Sequence, residues 1–152
     1  MNKSLFELVD ELLDLPRLNR ESVEKVAGLR MSSFNKQDPY FATYHGSSTD
    51  TSAEVTEVEL RYPGPQSKMK DGFLILNLHP DLEVTIDDVR TRFGLEHRFS
   101  PRPAEASNTV PNYTSYSLKE ARLSFGFLEP TLGTSGTCPG TLIAVIIDRT
   151  NC

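Results

Sequence analysis

Residues 4–15, SLFELVDELLDL, place Leu5, Leu8, Val9, Leu12 and Leu13 on one helical stripe, with charged residues filling the opposite side. Ser4 is positioned to cap this helix, and Pro16, which lacks the N–H that a further turn needs, ends it. A second helix is predicted over 19–27. Asn19 caps it, Glu21 and Ser22 fill its first turn, Val23 and Val26 face inward, and Gly28 supplies a left-handed ending. Beyond Gly28 the period shortens, and YFATYHG, VTEVELRYP and GFLILNLHP read as strands.

The same order then recurs. VTIDDVRTRFGL at 84–95 reads like LNRESVEKVAGL at 18–29: Thr85 with Asp88 makes a capping box, Ile86, Val89 and Phe93 form the buried face, and Gly94 repeats the ending of Gly28. Three more strand-like runs follow, YTSYSLKE, ARLSFGFLEP and GTLIAVIIDR. Aligning the two halves sets Phe41 with Tyr113, Tyr44 with Tyr116, Leu60 with Leu123, Tyr62 with Phe125 and Gly72 with Gly140. The expected fold is α+β, one domain over 1–152 built from two pseudo-repeats, about 18–80 and 84–150, with an extra N-terminal helix at 4–15. Each helix-plus-three-strand unit cannot bury its apolar face alone, so the units share an antiparallel sheet with helices on one face and an open opposite face. The Gly/Pro/Ser-rich runs PGPQSKMKDG and PTLGTSGTCPG join the second and third strands of each half as hairpin turns.

Alternation assigns the faces. Val58, Leu60 and Tyr62 point one way and Glu57, Glu59 and Arg61 the other, while Ala121, Leu123 and Phe125 oppose Glu120, Arg122 and Ser124. The third runs break this rule, since Phe73, Leu74, Ile75 and Leu76, and likewise Leu142, Ile143, Val145, Ile146 and Ile147, are apolar on both sides. They are expected at the centre of the sheet, their second face under a loop, the first helix or the twin unit. An exposed strip there would serve dimerisation or partner contact.

Charge and composition narrow the function classes. Sixteen basic and 21 acidic residues leave a net charge of −5 with no basic block, so the phosphate-neutralising footprint of a nucleic-acid binder is missing and a charge-steered partner would be basic. The acidic residues within MNKSLFELVDELLDLPRL exclude a signal-peptide apolar region, and no run reaches membrane-spanning length, which makes a cytoplasmic location the expectation. Between Cys138 and Cys152 lies a strand-like run spanning roughly 30 Å when extended, whereas a disulfide needs Cα atoms within about 7 Å. Two free thiols are expected. His45, His79 and His97 carry no nucleophile or metal-ligand spacing, and LGTSGTCPG lacks the lysine of a phosphate cradle. Asp87 and Asp88 open a helix, where the dipole favours negative charge, and Glu57 with Glu59 form a solvated strand face. No cofactor, no metal and no enzyme activity are expected.

The repeated unit, carried by SVEKVAGL and DDVRTRFGL each followed by antiparallel strands, resembles the tandem-repeat fold of the β-lactamase inhibitor proteins and of the small outer-membrane assembly lipoproteins, over most of 18–150. Small acidic α+β chains of this kind also resemble bacterial immunity proteins. The resemblance implies a protein-binding inhibitor that neutralises a cognate toxin by occluding its active site with the sheet. The lipidation signal and Cys pairs of the exported families are absent here, which suits a cytoplasmic inhibitor. Arginine and aromatic anchors would carry such an interface, and the candidates are Arg61, Arg122, Phe41 and Tyr113 with Glu57 and Glu59 beside them. Tyr44 and Tyr116 have the right chemistry and fit the core equally well. The protein would be a monomer or a homodimer. The alternatives are a small-molecule-binding or enzymatic domain with a pocket lined by Phe73, Tyr62, Phe125 and His45, or a structural homodimer through the third strands.

Overall fold

A computed structural model describes residues 3–34, 38–49, 53–101, 103, 110–128 and 141–150. Cys138 and Cys152, the run PTLGTSGTCPG and Gly140 lie outside the described residues. Along the chain come helices α1 (Leu5–Asp14) and α2 (Arg20–Ala27), strands β1 (Ser32–Phe34), β2 (Phe41–Ser47), β3 (Val55–Pro63) and β4 (Phe73–Leu78), helix α3 (Ile86–Phe93), and strands β5 (Arg98–Ser100), β6 (Asn112–Ser117), β7 (Arg122–Leu128) and β8 (Thr141–Asp148).

The helix boundaries follow from local hydrogen bonding. Ser4 Oγ accepts from the Glu7 amide, Asn19 Oδ1 accepts from the Ser22 amide at 2.9 Å, and Thr85 with Asp88 closes a reciprocal capping box at 3.1 and 2.9 Å. The two glycine endings differ, contrary to the expected repetition. Gly28 sits at φ 69°, ψ 31°, a left-handed cap, whereas Gly94 sits at φ 85°, ψ −166°, a region that glycine alone enters freely.

Among the described residues the strands form one antiparallel sheet in the order β1-β2-β3-β4-β8-β7-β6-β5. Each half contributes four strands where three were expected. The additional ones, β1 and β5, are three-residue edges too short to carry a periodic signal, and their strand character comes from pairing with β2 and β6. The apolar third runs are β4 and β8, and they pair with each other at the centre of the sheet. In the register Tyr44 faces Leu60 as Tyr116 faces Leu123, and Phe41 faces Pro63 as Tyr113 faces Gly126. Leu60 and Leu123 in turn face Leu74 and Ile147. Leu74 and Ile147 are themselves register partners, whereas aligning Gly72 with Gly140 sets Leu74 with Leu142. The sequence alignment had anchored on a glycine, while position in the sheet is set by the strand pairing.

The core joins helix and strand side chains. Leu5, Leu8, Val9 and Leu12 of α1, Val23 of α2 and Val89 of α3 belong to one cluster with Val58, Leu60, Leu74, Leu76, Leu123, Phe125, Val145 and Ile147. Phe93 lies among the rings of Phe6, Tyr116 and Phe125, with centroids 5.8, 5.7 and 5.4 Å away, tilted or edge-on as aromatic quadrupoles prefer. Tyr116 is 1% exposed, and its hydroxyl donates to the Gly94 carbonyl at 2.9 Å. Tyr44 packs against the same cluster. Tyr116 is thus a core residue, and Tyr44 a half-buried one at the margin of the core.

Two ionic groups are buried beside this core. Arg149 Nε lies 3.1 Å from Asp71 Oδ2, with both side chains under a tenth exposed. Asp71 Oδ1 accepts from the Leu18 and Gly72 amides at 2.9 and 2.7 Å, and the Arg149 guanidinium donates to the Leu15 and Pro16 carbonyls at 2.5 and 3.0 Å. The pair closes the α1–α2 connection, the β3–β4 turn and the end of β8 around one point. Replacing Arg149 by Met leaves the Asp71 charge buried and uncompensated, and should lower unfolding free energy by about 3–5 kcal/mol in urea titration. Arg92→Met, which removes a half-exposed pair between Arg92 and Asp10, should cost less than about 1 kcal/mol in the same assay.

A second pair has a pH signature. Arg90 donates from Nε and Nη2 to the Glu96 carboxylate at 2.9 and 2.7 Å, and these bonds hold Glu96 below the ordinary glutamate value of 4.5 against the opposing effect of burial. A depressed carboxylate stabilises the fold above its unfolded pKa and loses that contribution as pH falls through the folded value. Arg90→Gln should therefore be less stable than the parent at neutral pH, and urea midpoints of the two should converge once the pH is well below 4.5.

Candidate functional site

Strand pairing carries the side-chain alternation across the whole sheet, so residues opposite the core form continuous rows. One row runs Thr43, Arg61, Phe73, Asp148, Arg122, Ser117, each the register partner of the next. The next runs His45, Glu59, Ile75, Ile146, Ser124, Ser115, Arg98. A third contains Glu57, Asn77, Ala144, Gly126 and Tyr113. Phe41 points the same way from the start of β2, opposite Pro63. All six candidate contact residues, Arg61, Arg122, Glu57, Glu59, Phe41 and Tyr113, thus share one face. Between them the central strands present Phe73, Ile75 and Ile146, each half-buried.

At the β2–β4 end the charges are already engaged. Glu59 receives His45 Nε2 at 2.9 Å on one oxygen and Arg61 at 3.0 Å on the other, and the Arg61 guanidinium lies over the Phe73 ring at 5.9 Å. The sequence reading missed His45 here. Its signal is present, because His45 alternates with Thr43 and Ser47 and so must share their face.

At the β5–β8 end the balance reverses. Arg98 and Arg122 are exposed and have no partner among the described residues. They line a cavity of about 230 Å³ with Phe73, Ser100, Tyr113, Ser115, Ser124, Ile146 and Asp148. Ser115 and Ser124 are buried and share a hydroxyl hydrogen bond of 2.8 Å at its base. Tyr113 forms one wall by lying on Gly126, where an added Cβ would stand 2.9 Å from Tyr113 Cε1. Burial pushes the Tyr113 phenol above the ordinary tyrosine range. Asp148 Oδ1 accepts from the Thr150 amide and hydroxyl at 2.9 and 2.5 Å.

The expected pocket of Phe73, Tyr62, Phe125 and His45 does not form. Phe125 belongs to the core cluster and Tyr62 packs against it, whereas Phe73 and His45 lie on the opposite face, so the sheet itself separates them. A larger cleft, about 680 Å³, opens between α2 and the β2–β3 turn. Two of its charged groups are engaged, with Lys3 donating to the Val26 carbonyl at 2.7 Å and Glu54 accepting from the Leu5 amide. The other histidines serve the backbone: His79 Nδ1 accepts from the Asp81 amide and His97 Nδ1 from the Ser117 amide. Among the described residues no group of three or more His, Cys, Asp or Glu is arranged to hold a metal ion, and no helix is long and apolar enough to cross a membrane.

Comparison with family models, with curated proteins and with solved structures returns no match for this chain.

The stacking of Tyr113 on Gly126 sets a testable quantity. Tyr113→Ala uncovers the glycine backbone and removes one cross-strand contact, and should lower stability by about 1 kcal/mol with the circular dichroism spectrum unchanged.

Proposed function

We propose that this chain is a protein-binding inhibitor of the bacterial immunity kind. In this reading two helix-and-strand units meet through β4 and β8, their helices cover one face of the sheet, and the opposite face docks over the active site of a toxin or enzyme. One observation carries it: Phe73, Ile75 and Ile146 form a half-buried apolar centre on a face that is flanked by Arg61 and Arg122 and holds Phe41 and Tyr113. An apolar centre ringed by arginine and aromatic side chains is the composition of the energetically dominant part of protein interfaces. The sheet holds these groups rigidly, so little conformational entropy is lost on docking.

The net charge of −5 favours a basic protein as the partner over nucleic acid or an acidic membrane surface. Such steering acts on the association rate more than on the final affinity. The cytoplasm, where an immunity protein would meet its toxin before export, is the matching compartment. On this reading the chain performs no catalysis of its own and blocks that of its partner.

The test begins by capturing the partner from native-host lysate at moderate salt and measuring its affinity for the purified chain. Arg61→Glu combined with Arg122→Glu alters two exposed positions and should leave the unfolding transition in place. The variant should bind the captured partner at least about tenfold more weakly, a loss of roughly 1.4 kcal/mol or more. Unchanged affinity would remove this face as the docking surface.

A further inference from the structure

We infer that the cavity at the β5–β8 end of the sheet face is a carboxylate-binding subsite, with Arg98 and Arg122 as its cationic walls. This goes beyond the docking reading, since a free small acid suits the cavity as well as a carboxylate presented by a protein. The two arginines come from β5 and β7, strands separated by one neighbour and so about 10 Å apart, and their side chains reach the same cavity. Neither guanidinium has a partner among the described residues. Each keeps the planar donor fork that matches a carboxylate in a two-point contact.

The cavity base supplies a further donor. Ser115 and Ser124 carry two hydroxyl hydrogens, and their mutual 2.8 Å bond uses one of them. The second has no acceptor among the described residues, an unfavourable state for a buried donor. An oxygen entering from the cavity would accept it. Tyr113, whose phenol is a hydrogen-bond donor, lines the same space.

Size and charge select the ligand class. At about 230 Å³ the cavity is smaller than the usual drug-sized pocket of roughly 300–1,000 Å³. Phe73, Ile146 and the Tyr113 ring provide apolar contact for a small hydrocarbon or aromatic body. Asp148 also faces the cavity, so two arginines and one aspartate leave a single positive charge. One carboxylate neutralises that charge, whereas a phosphate dianion would be in excess and would stand against Asp148. The ligand is therefore a monoanionic acid with a compact apolar body.

The experiment titrates the full chain, followed by isothermal calorimetry and amide chemical shifts, with three probes: benzoate, inorganic phosphate, and a hexapeptide ending in phenylalanine with a free C-terminal carboxylate. Benzoate should bind saturably at one site, shifting the amides of Ser115, Ser124 and Ile146, and phosphate should bind more weakly. Arg98→Gln and Arg122→Gln should each weaken benzoate at least fivefold, and the double variant should abolish it with an unchanged melting temperature. Arg61→Gln, on the same face outside the cavity, should bind benzoate like the parent. Peptide binding tighter than benzoate by tenfold would assign the subsite to a protein chain, and peptide binding no tighter would assign it to a free acid. The inference is overturned if neither benzoate nor peptide binds saturably, if the double variant binds as the parent does, or if phosphate binds more tightly than benzoate. None of these outcomes depends on capturing a protein partner, so the docking reading stands or falls separately.

Discussion

The buried pair of Asp71 and Arg149 is the constraint on which the rest of this structure turns. It draws together the connection after α1, the turn before β4 and the residue after β8, segments from the start, the middle and the end of the chain. The Arg149 amide also donates to the Gly72 carbonyl at 3.0 Å, which continues the β4–β8 ladder one step beyond its last strand pair. Burying two charges is unfavourable unless their remaining polar atoms are occupied. Here the aspartate receives two amides and the arginine donates to two carbonyls, while Arg149 Nε, 3.1 Å from Asp71 Oδ2, makes a charge contact without hydrogen-bond geometry, so these partners come together only when all three segments are in place. The pair thereby ties the end of the β4–β8 ladder to the α1–α2 connection.

The meeting of β4 and β8 decides what the sheet offers to solvent. With the two most apolar strands at the centre, the edges fall to β1 and β5, each three residues long. Short edges of this kind expose few unpaired backbone groups and discourage further strand addition. The centre pays one compensating penalty: Phe73, Ile75 and Ile146 remain half-buried on the face opposite the core. The proposed docking function uses that surface.

The same face is electrically divided. Around β2 and β3 Glu59 is engaged by both Arg61 and His45, while around β5 and β7 two arginines with no partner among the described residues line a small cavity. A flat half with its charges engaged and a cationic, concave half are suited to different tasks: the first to broad apolar contact, the second to gripping a single acidic group. Both halves rest on one rigid sheet, which holds their relative geometry fixed.

How much of this was legible along the chain depends on the range of the forces involved. The helices were, because Ser4, Asn19 and the Thr85–Asp88 box act within one turn of themselves, and so was the shared face of Glu57, Glu59 and Arg61, because pleat alternation is a property of consecutive residues. Arg122 followed by the same rule on β7. Strands β1 and β5 were not legible, since three residues carry no periodic signal and become strands only through a neighbour's hydrogen bonds. The left-handed ending at Gly28 was readable, but not the different one at Gly94, because glycine permits both and the surrounding fold chooses. Likewise the chain names Arg98, Tyr113, Arg122, Ser115 and Ser124 without any hint that they share a cavity, and Asp71 and Arg149 without any hint that they touch. By itself the sequence determined the three helices, the six longer strands and the apolar side of the alternating ones, because those are settled by neighbours in the chain. Only the tertiary structure decided which strand edges meet, and with them the core place of Tyr116, the buried ion pair and the arginine cavity, because those depend on contacts between residues that the sequence holds far apart.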